Sequence, residues 1–298
     1  MVFPISGAET PFWLPIVVAF LISSITSTGG VSGAFLLLPF QVSILGFTGP
    51  AVTPTNFLFN VIAIPTGVYR FAKEKRMIWP IVWVLLSSSF IGTFVGMYIR
   101  IKYLPDPRSF KIFVGIILFL FSLRLIIDII KNSGRTKNVK PDSGSFQVTM
   151  QKHDLKAINF DFNNQNYSLK TFPLVIISLF VGIIGGIYGI GGGAIIAPIL
   201  IVVYKLPVHA IAGVALLNTF ISSVFGVLLY TIIAPLFSRS ELAVTPDWLL
   251  GLFMGIGGFA GVYIGSRLQK YIPEKIIKVV IGSALIYISI RYLIVIFL

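Results

Sequence analysis

The sequence has no cysteine, only two histidines and few charged residues. Without cysteine it can form no disulfide and offers no thiolate as a nucleophile or a metal ligand, and cysteine usage says nothing about the redox compartment. Charged residues make up 11% of the 298 positions, whereas 56% are hydrophobic. A soluble protein of this length cannot bury so much apolar surface, so the composition predicts a membrane protein surrounded by the lipid bilayer.

The same absences speak against an enzyme. A catalytic site needs a nucleophile with a base, or a set of metal ligands, and the chain has no G-x-S-x-G, no H-E-x-x-H and no P-loop motif. The stretch from Gly189 to Ala194 fits the dinucleotide pattern G-x-G-x-x-A, but no acidic residue follows about 20 positions later. We therefore expect no enzymatic activity, no cofactor, no metal site and no ATP hydrolysis by this chain.

Ten apolar stretches fall into two groups of five on either side of a polar insert at 132–170. They are 13–28, 34–48, 51–70, 79–99, 110–130, 172–187, 193–204, 209–233, 248–266 and 276–297. In the insert, the alternation of KAINFDF and NYSLKTF around NNQN predicts a small β-hairpin. The chain thus divides into 1–131, 132–170 and 171–298. No basic residue precedes the first apolar stretch, which predicts a retained membrane segment rather than a cleaved signal peptide.

The two groups are repeats of each other. A shift of 159 residues, which becomes 167 to 169 after an insertion near 231–247, superposes residues of unusual type. The pairs are Gly30 with Gly189, Gly33 with Gly192, Pro39 with Pro198, Gly67 with Gly226, Trp79 with Trp248, and Gly96 with Gly265. Two unrelated apolar chains share leucine and isoleucine by chance, but seldom paired glycine, proline and tryptophan. We therefore infer an internal duplication.

Span lengths and charge predict how the repeats are oriented. We expect each half to be a pair of short broken helices, entering and leaving on one side, followed by three full transmembrane helices. An odd number of full spans inverts the second half. With the N-terminus outside, this arrangement places most lysines and arginines inside, including those of the insert. The loop RIKYLPDPRSFK at 100–111 is the exception, because it is basic and lies outside.

The predicted fold is therefore an all-α polytopic protein of the cell membrane, built from two inverted-topology repeats. Topology also explains the net charge of +13, because the basic residues lie between apolar stretches. We expect no nucleic-acid partner.

Glycine clusters interrupt one apolar region in each half, in TGGVSGAFLLLP at 28–39 and GGIYGIGGGAIIAP at 185–198. A half-helix that begins there has free backbone N–H groups and a positive dipole end, which together suit an anion. The candidate binding residues are Gly30, Ser32, Gly33, Gly191, Gly192 and Gly193. The alternative is tight helix packing, which we assign to the spaced pairs Gly182/Gly186 and Gly261/Gly265.

Uncharged polar residues in the following stretches complete the candidate site. Thr55 and Asn56 lie in the first half, and Asn218 and Thr219 lie in the second. Neutral donors suit an anion that must be held and then released, whereas interhelical hydrogen bonding is the alternative use of such side chains. We also expect Pro54 to break or kink its helix, which would free more backbone groups nearby.

These segments resemble a known family. The stretches GIGGGAIIAPIL with LPVHAIAGVALLNTFISSVFGVLLY, and GGVSGAFLLLPF with GPAVTPTNFLFNVIAIPTGVY, are similar to the sulfite exporter TauE/SafE family, also called TSUP. The resemblance covers both halves but not the insert. It implies a membrane transporter for sulfur-containing anions such as sulfite, sulfonates or related organosulfur acids. The family's A-V-G-T-S segment reads AVTPTN and AIAGVA here, a departure that bears on the substrate.

Taken together, the sequence predicts a secondary transporter that works by alternating access, with its small anion held near the midplane at the glycine-rich half-helix ends. A passive anion channel would use the same site, and only transport rates separate the two. The sequence leaves open whether the protein forms a homodimer.

Overall fold

The computed structural model describes residues 1–132, 148–150, 156–162, 165–237, 243–269, 271–272 and 274–294, and these form twelve α-helices and one small sheet. The helices of the first half are α1 (Trp13–Thr26), α2 (Ala34–Ser43), α3 (Val52–Ala63), α4 (Pro65–Lys73), α5 (Trp79–Lys102) and α6 (Pro107–Asn132). Those of the second half are α7 (Thr171–Tyr188), α8 (Gly193–Val202), α9 (Val208–Leu228), α10 (Ala234–Phe237), α11 (Trp248–Leu268) and α12 (Glu274–Leu293).

Several of these helices are long and apolar enough to cross a membrane, so the chain is a polytopic membrane protein. Within the described residues they are Trp79–Lys102, Thr171–Tyr188, Val208–Leu236 and Trp248–Leu268, of which the third joins α9 to α10 through a π-helical turn. The helices α1 and α2 are apolar but shorter.

The stretch expected to be one full span at 51–70 is instead two short helices, α3 and α4. The break comes at Ile64, directly before Pro65, which has no N–H to continue the helix. The expectation that Pro54 breaks its helix is wrong. Because α3 begins at Val52, Pro54 lies in the first turn, where a proline disrupts no intrahelical hydrogen bond.

Both predicted helix interruptions are present, at equivalent glycines. After α1 and a 3₁₀ turn at Ser27–Gly29, Gly30 adopts a φ of 70°, and after α7, Gly189 adopts a φ of 79°. This left-handed conformation is unfavourable for residues with a Cβ, and it commonly ends a helix. The chain then turns and starts α2 and α8 within a few residues.

The two halves of the chain pack against each other through two helix pairs. In one pair α1 lies on α11, and in the other α5 lies on α7. Glycine lets the backbones touch along both seams. A Cβ added to Gly92 would lie 2.8 Å from Gly182 Cα, and one added to Gly261 would lie 2.5 Å from Phe20 O. A Cβ on Gly186 would lie 2.9 Å from Thr93 Cα. The packing role that we predicted for the spaced glycine pairs is confirmed.

The equivalent helices α3 and α9 also pack on each other, and they run antiparallel. Phe57 contacts Gly226, and Asn60, one turn later, donates from Nδ2 to Ser223 Oγ at 3.1 Å. The polar side chains of this pair are wholly buried. The centre of the molecule is therefore an α3–α9 pair, with one glycine break on each side of it.

A three-stranded antiparallel sheet lies at one end of the molecule. It consists of β1 (Val148–Met150), β2 (Ala157–Phe162) and β3 (Gln165–Lys170) in the order β1-β2-β3. Val148 N–H donates to Lys75 O at 3.0 Å, which fixes the sheet beside the loop before α5. We call this the sheet end. The 24 residues of α5 span about 36 Å, at 1.5 Å per residue, to the opposite end.

The first residues of the chain pack at that opposite end, which we call the N-terminal end. Val2 and Glu9 form a β-bridge, and Asp247 holds the turn between them by accepting from Ser6 N–H at 2.8 Å. The other carboxylate oxygen of Asp247 accepts from Leu250 N–H at 3.1 Å and caps α11. One buried side chain thus joins the N-terminal segment to the membrane helices.

Replacing Asp247 with alanine is expected to lower the free energy of unfolding by about 1–2 kcal/mol, because α11 loses its N-cap. The melting temperature of the purified protein in detergent measures this loss. Hydrogen exchange of residues 1–12 should rise at the same time. Asp247→Asn, which keeps the Oδ1 acceptor, is the control and should lose less. An unchanged melting temperature for the alanine variant would show that the cap contributes nothing.

Candidate functional site

Of the two half-helix ends, the N-terminus of α8 has fewer of its backbone N–H groups hydrogen-bonded in the described structure. Gly192 is its N-cap, and the first helical hydrogen bond runs from Ile196 N–H to Gly192 O at 3.1 Å. In the described part of the chain, the N–H groups of Gly193 and Ile195 have no acceptor. Unpaired N–H groups at a helix start carry the positive end of the helix dipole, so this end favours a negative charge.

Asn218 and Ser89 lie against this helix end, and each has a polar neighbour on its own or an adjacent helix. Asn218 and Ser222 lie one turn apart on α9, Ser89 lies on α5 and Ser178 lies on α7. Ser89 Oγ is 3.5 Å from Asn218 Oδ1 and 3.3 Å from Ser178 Oγ. All four side chains are buried. They form what we call the α8 pocket cluster, made of Gly192, Asn218, Ser222, Ser89 and Ser178.

Two side-chain donors of the α8 pocket cluster lack protein partners, whereas the hydroxyls of Ser89 and Ser178 have them. Asn218 Nδ2 and Ser222 Oγ are both buried and make no hydrogen bond in the described structure. A Cβ on Gly192 would lie 2.8 Å from Asn218 Nδ2, so the unpaired amide faces the helix end across the glycine. A buried donor without an acceptor is costly, by about 1–3 kcal/mol. The cluster therefore offers hydrogen bonds that the protein itself does not use.

The equivalent end of α2 is capped by its own residues. Ser32 Oγ accepts from Ala34 N–H at 3.1 Å, and Ser32 O and Gly33 O accept from Phe35 and Leu36 N–H at 3.3 and 3.0 Å. The Ser32 hydroxyl in turn donates to Asn60 Oδ1. In the second half Gly191 replaces Ser32, so no side chain can perform this capping. The two half-helix ends differ for that reason.

The glycine breaks are held against the central helices by close backbone contact. Gly30 packs on Ala212 of α9 and Gly189 packs on Thr53 of α3, which are equivalent contacts between the halves. Gly191 packs on Thr219, and a Cβ on Gly193 would collide with Ala215 O. The structure thus brings the predicted glycines of both halves to the α3–α9 pair.

Three of the predicted polar residues have their hydrogen bonds filled by the protein. Thr55 Oγ1 donates to Ala51 O at 2.7 Å and accepts from Asp247 N–H at 2.8 Å. Asn56 Nδ2 donates to Ala34 O at 3.0 Å, and its Oδ1 accepts from Gln41 Nε2 at 2.8 Å. Thr219 Oγ1 donates to Ala215 O at 3.0 Å. Asn218 differs from them because its amide donor is unpaired.

Sequence reasoning missed Ser89 and Ser178, and it counted two buried arginines as loop charges. Arg76 and Arg100 are almost fully buried, at opposite ends of the molecule. Arg76 Nε donates to His209 O at 3.0 Å, while its Nη1 pairs with Glu74 at 3.1 Å. Burial lowers the pKa of Arg76, and Glu74 opposes that shift. A sequence signal existed for Arg100, which follows Gly92 and Gly96 at four-residue spacing on the buried face of α5.

The donors in the α8 pocket cluster are neutral, and no acidic side chain belongs to it. Within the described residues, no group of three or more histidine, cysteine, aspartate or glutamate residues could hold a metal ion. The arrangement can bind an anion through backbone N–H, amide and hydroxyl donors.

Comparisons with known proteins show what the chain is similar to. The profile of the family described as Sulfite exporter TauE/SafE matches residues 15–292. The probable membrane transporter protein YunE of Bacillus subtilis (strain 168) is 22% identical over 93% of this chain and 97% of its own length. A probable membrane transporter protein of Methanocaldococcus jannaschii is 22% identical, with 91% of each chain covered. MamO of Paramagnetospirillum magneticum is 25% identical over 89% of this chain, which matches 42% of MamO. No solved structure matches the chain.

Proposed function

Because the chain belongs to the sulfite exporter TauE/SafE family of membrane transporters, we propose that it carries a small sulfur-containing anion by alternating access. The substrates that fit are sulfite, sulfonates or related organosulfur acids. The observation that carries the proposal is the unpaired donor set at the start of α8, where Asn218 Nδ2 faces Gly192. The anion would lie there, between the two halves, with the break at Gly30 to Gly33 on the opposite side of the α3–α9 pair.

Neutral donors suit transport better than a fixed positive charge. A lysine or arginine in a dry site would hold an oxyanion through a charge-assisted hydrogen bond, which is about twice as strong as a neutral one. Amide, hydroxyl and backbone N–H groups select for hydrogen-bond acceptors without binding them so tightly that they cannot leave. Serine hydroxyls also accept hydrogen bonds, so Ser89 and Ser222 tolerate a protonated oxygen on the anion.

We further propose that the halves are inverted repeats. Two equivalent helices related by an axis in the membrane plane must run in opposite directions, whereas an axis along the membrane normal would keep them parallel. The equivalent pair α3 and α9 is antiparallel. In the equivalent pair α6 and α12, Gly115 near the start of α6 contacts Tyr292 and Leu293 at the end of α12. Both contacts support inversion.

Sidedness follows from the positive-inside rule, with the sheet end in the cytoplasm of a cell whose plasma membrane holds the protein. The basic loop at 100–111, which is the exception to this rule noted above, carries fewer exposed charges than its sequence indicates. Arg100 is fully buried and bonded to protein oxygens, so it does not act as an exposed loop charge. This leaves Lys102, Arg108 and Lys111 as the basic residues of that loop.

The test is the melting temperature of the detergent-purified protein against sulfite, sulfate, thiosulfate, several sulfonates, carboxylates and chloride at matched ionic strength. A ligand that binds only the folded state adds about 2.7 kcal/mol at 100 times its Kd. Stabilisation by sulfur oxyanions or sulfonates alone is the expected result. Stabilisation by carboxylates alone would contradict the sulfur substrate, and saturable flux in liposomes, without single-channel conductance, would distinguish a carrier from a channel.

A further inference from the structure

Arg100 is enclosed at the N-terminal end of the molecule. It has no exposed surface, and its guanidinium lies over the Phe110 ring at 3.8 Å. Nε donates to Thr53 Oγ1 at 3.3 Å, Nη2 donates to Gly49 O at 3.3 Å, and Nη1 donates to Leu104 O. Each of the three nitrogens is thus bound to a neutral oxygen.

No carboxylate among the described residues forms an ion pair with Arg100. Ion pairs in the described residues involve Glu74 with Arg70 and Arg76 at the sheet end, and none involves Arg100. Tyr230 and, more weakly, Asp106 influence Arg100 through space. Tyr230 is a phenol that donates to Gly186 O at 3.0 Å, and the Asp106 carboxylate lies at the surface and accepts from Ser109 N–H at 2.7 Å. A buried charge without a counter-charge is unfavourable, and an ionisable group within a membrane protein usually marks an ion pathway.

The guanidinium also has unused donors. Arginine carries five N–H groups, and three of them are bonded to protein oxygens in the described structure. The planar fork of a guanidinium matches the spacing of two oxygens on an oxyanion. We propose that Arg100 is a second anion-binding site, which takes an oxyanion of the sulfite or sulfonate type at the N-terminal end of the molecule.

Its position connects it to the glycine break of the second half. Thr53 Oγ1, which accepts from Arg100 Nε, donates to Ile187 O at 3.0 Å, and the Thr53 backbone lies against Gly189. Arg100 is therefore one side chain away from the segment that leads into α8. An anion bound at Arg100 would lie near the glycine break that precedes α8. Anion binding at Arg100 does not depend on the proposed function. Only the identification of this anion as the transported substrate rests on it.

The test counts bound anions. Equilibrium dialysis of the purified full chain against radiolabelled sulfite should give two sites per chain. Arg100→Gln should retain only the site at the α8 pocket cluster, and Asn218→Leu should retain only the site at Arg100. The double variant should bind no sulfite. If Arg100→Gln does not fold, Arg100→Lys keeps the charge without the fork and should weaken its site by about tenfold.

The outcomes separate the two proposals. Unchanged stoichiometry and affinity in Arg100→Gln, or in Arg100→Lys, would overturn the Arg100 site and leave the guanidinium a purely structural link between loops. If the wild type binds one anion and Asn218→Leu removes that binding, the Arg100 site is overturned as well, while the α8 pocket cluster is supported. One site that only Arg100→Gln removes would support Arg100 and contradict the proposed central site.

Discussion

Asn218→Leu is expected to keep or raise the stability of the ligand-free protein while abolishing its stabilisation by the anion. Leucine has a similar volume but no polar atom, so it removes the buried Nδ2 donor that has no acceptor. Removing an unsatisfied buried group is worth about 1–3 kcal/mol in favour of the folded state. Melting temperatures with and without the anion, together with flux in liposomes, measure both effects. Flux should fall at least tenfold.

Asn56→Leu is the matched control, because both polar atoms of the Asn56 side chain have protein partners. Its Oδ1 accepts from Gln41, and its Nδ2 donates to Ala34 O. The same substitution there removes two buried hydrogen bonds and should lower stability by about 1–3 kcal/mol. A stability loss in Asn218→Leu equal to that in Asn56→Leu would mean that Asn218 is structural, and the proposed site would be lost with it.

Gly192→Ala is expected to abolish anion binding and flux with little effect on folding. The φ of Gly192 is −64°, which alanine adopts freely, and the nearest atoms are the ends of two side chains. Its Cβ would lie 2.8 Å from Asn218 Nδ2 and 3.1 Å from Ser89 Oγ. The methyl group would thus occupy the space in which an anion oxygen meets these donors. Binding should weaken at least tenfold, and the melting temperature should change by only a few degrees.

Gly33→Ala is the control at the equivalent position. The φ of Gly33 is −58°, and a Cβ there meets Ser23 Oγ at 2.5 Å, again a side-chain atom that can rotate away. Because the end of α2 is capped by Ser32, binding should change little. If both alanine variants bind and transport like the wild type, neither helix end holds the anion. Gly193→Ala is unsuitable, because its Cβ would collide with backbone.

The helix breaks were predictable because glycine acts locally. A left-handed φ at Gly30 and at Gly189 is a property of two or three neighbouring residues, and the glycine clusters in the sequence marked both places. The family was predictable for the same reason, since its motifs are continuous in sequence. The break between α3 and α4 was less evident, because Pro54 and Pro65 are equally disruptive until the start of the helix is known.

The composition of the site depends on packing that no local pattern reveals. Ser89 reaches Asn218 because α5 packs on α9, and Ser178 reaches Ser89 because α5 and α7 lie together along a glycine seam. Asn56 and Asn218 look alike in the sequence. The difference between them is that Ala34 O accepts from Asn56 Nδ2, whereas Asn218 Nδ2 has no acceptor in the described structure. Whether a buried polar atom has a hydrogen-bond partner depends on such neighbours, which come from distant parts of the chain.

The glycine seams also determine which parts can move as units. Each seam joins a helix of the first half of the chain to a helix of the second half, so the halves in sequence differ from the units that pack together. Sliding the first half past the second would separate backbones that are in contact along both seams. A transport motion that spares them must carry α1 with α11, and α5 with α7, as two mixed blocks. The parts of the chain before and after the sheet are therefore interleaved in space, rather than packed as two separate bodies.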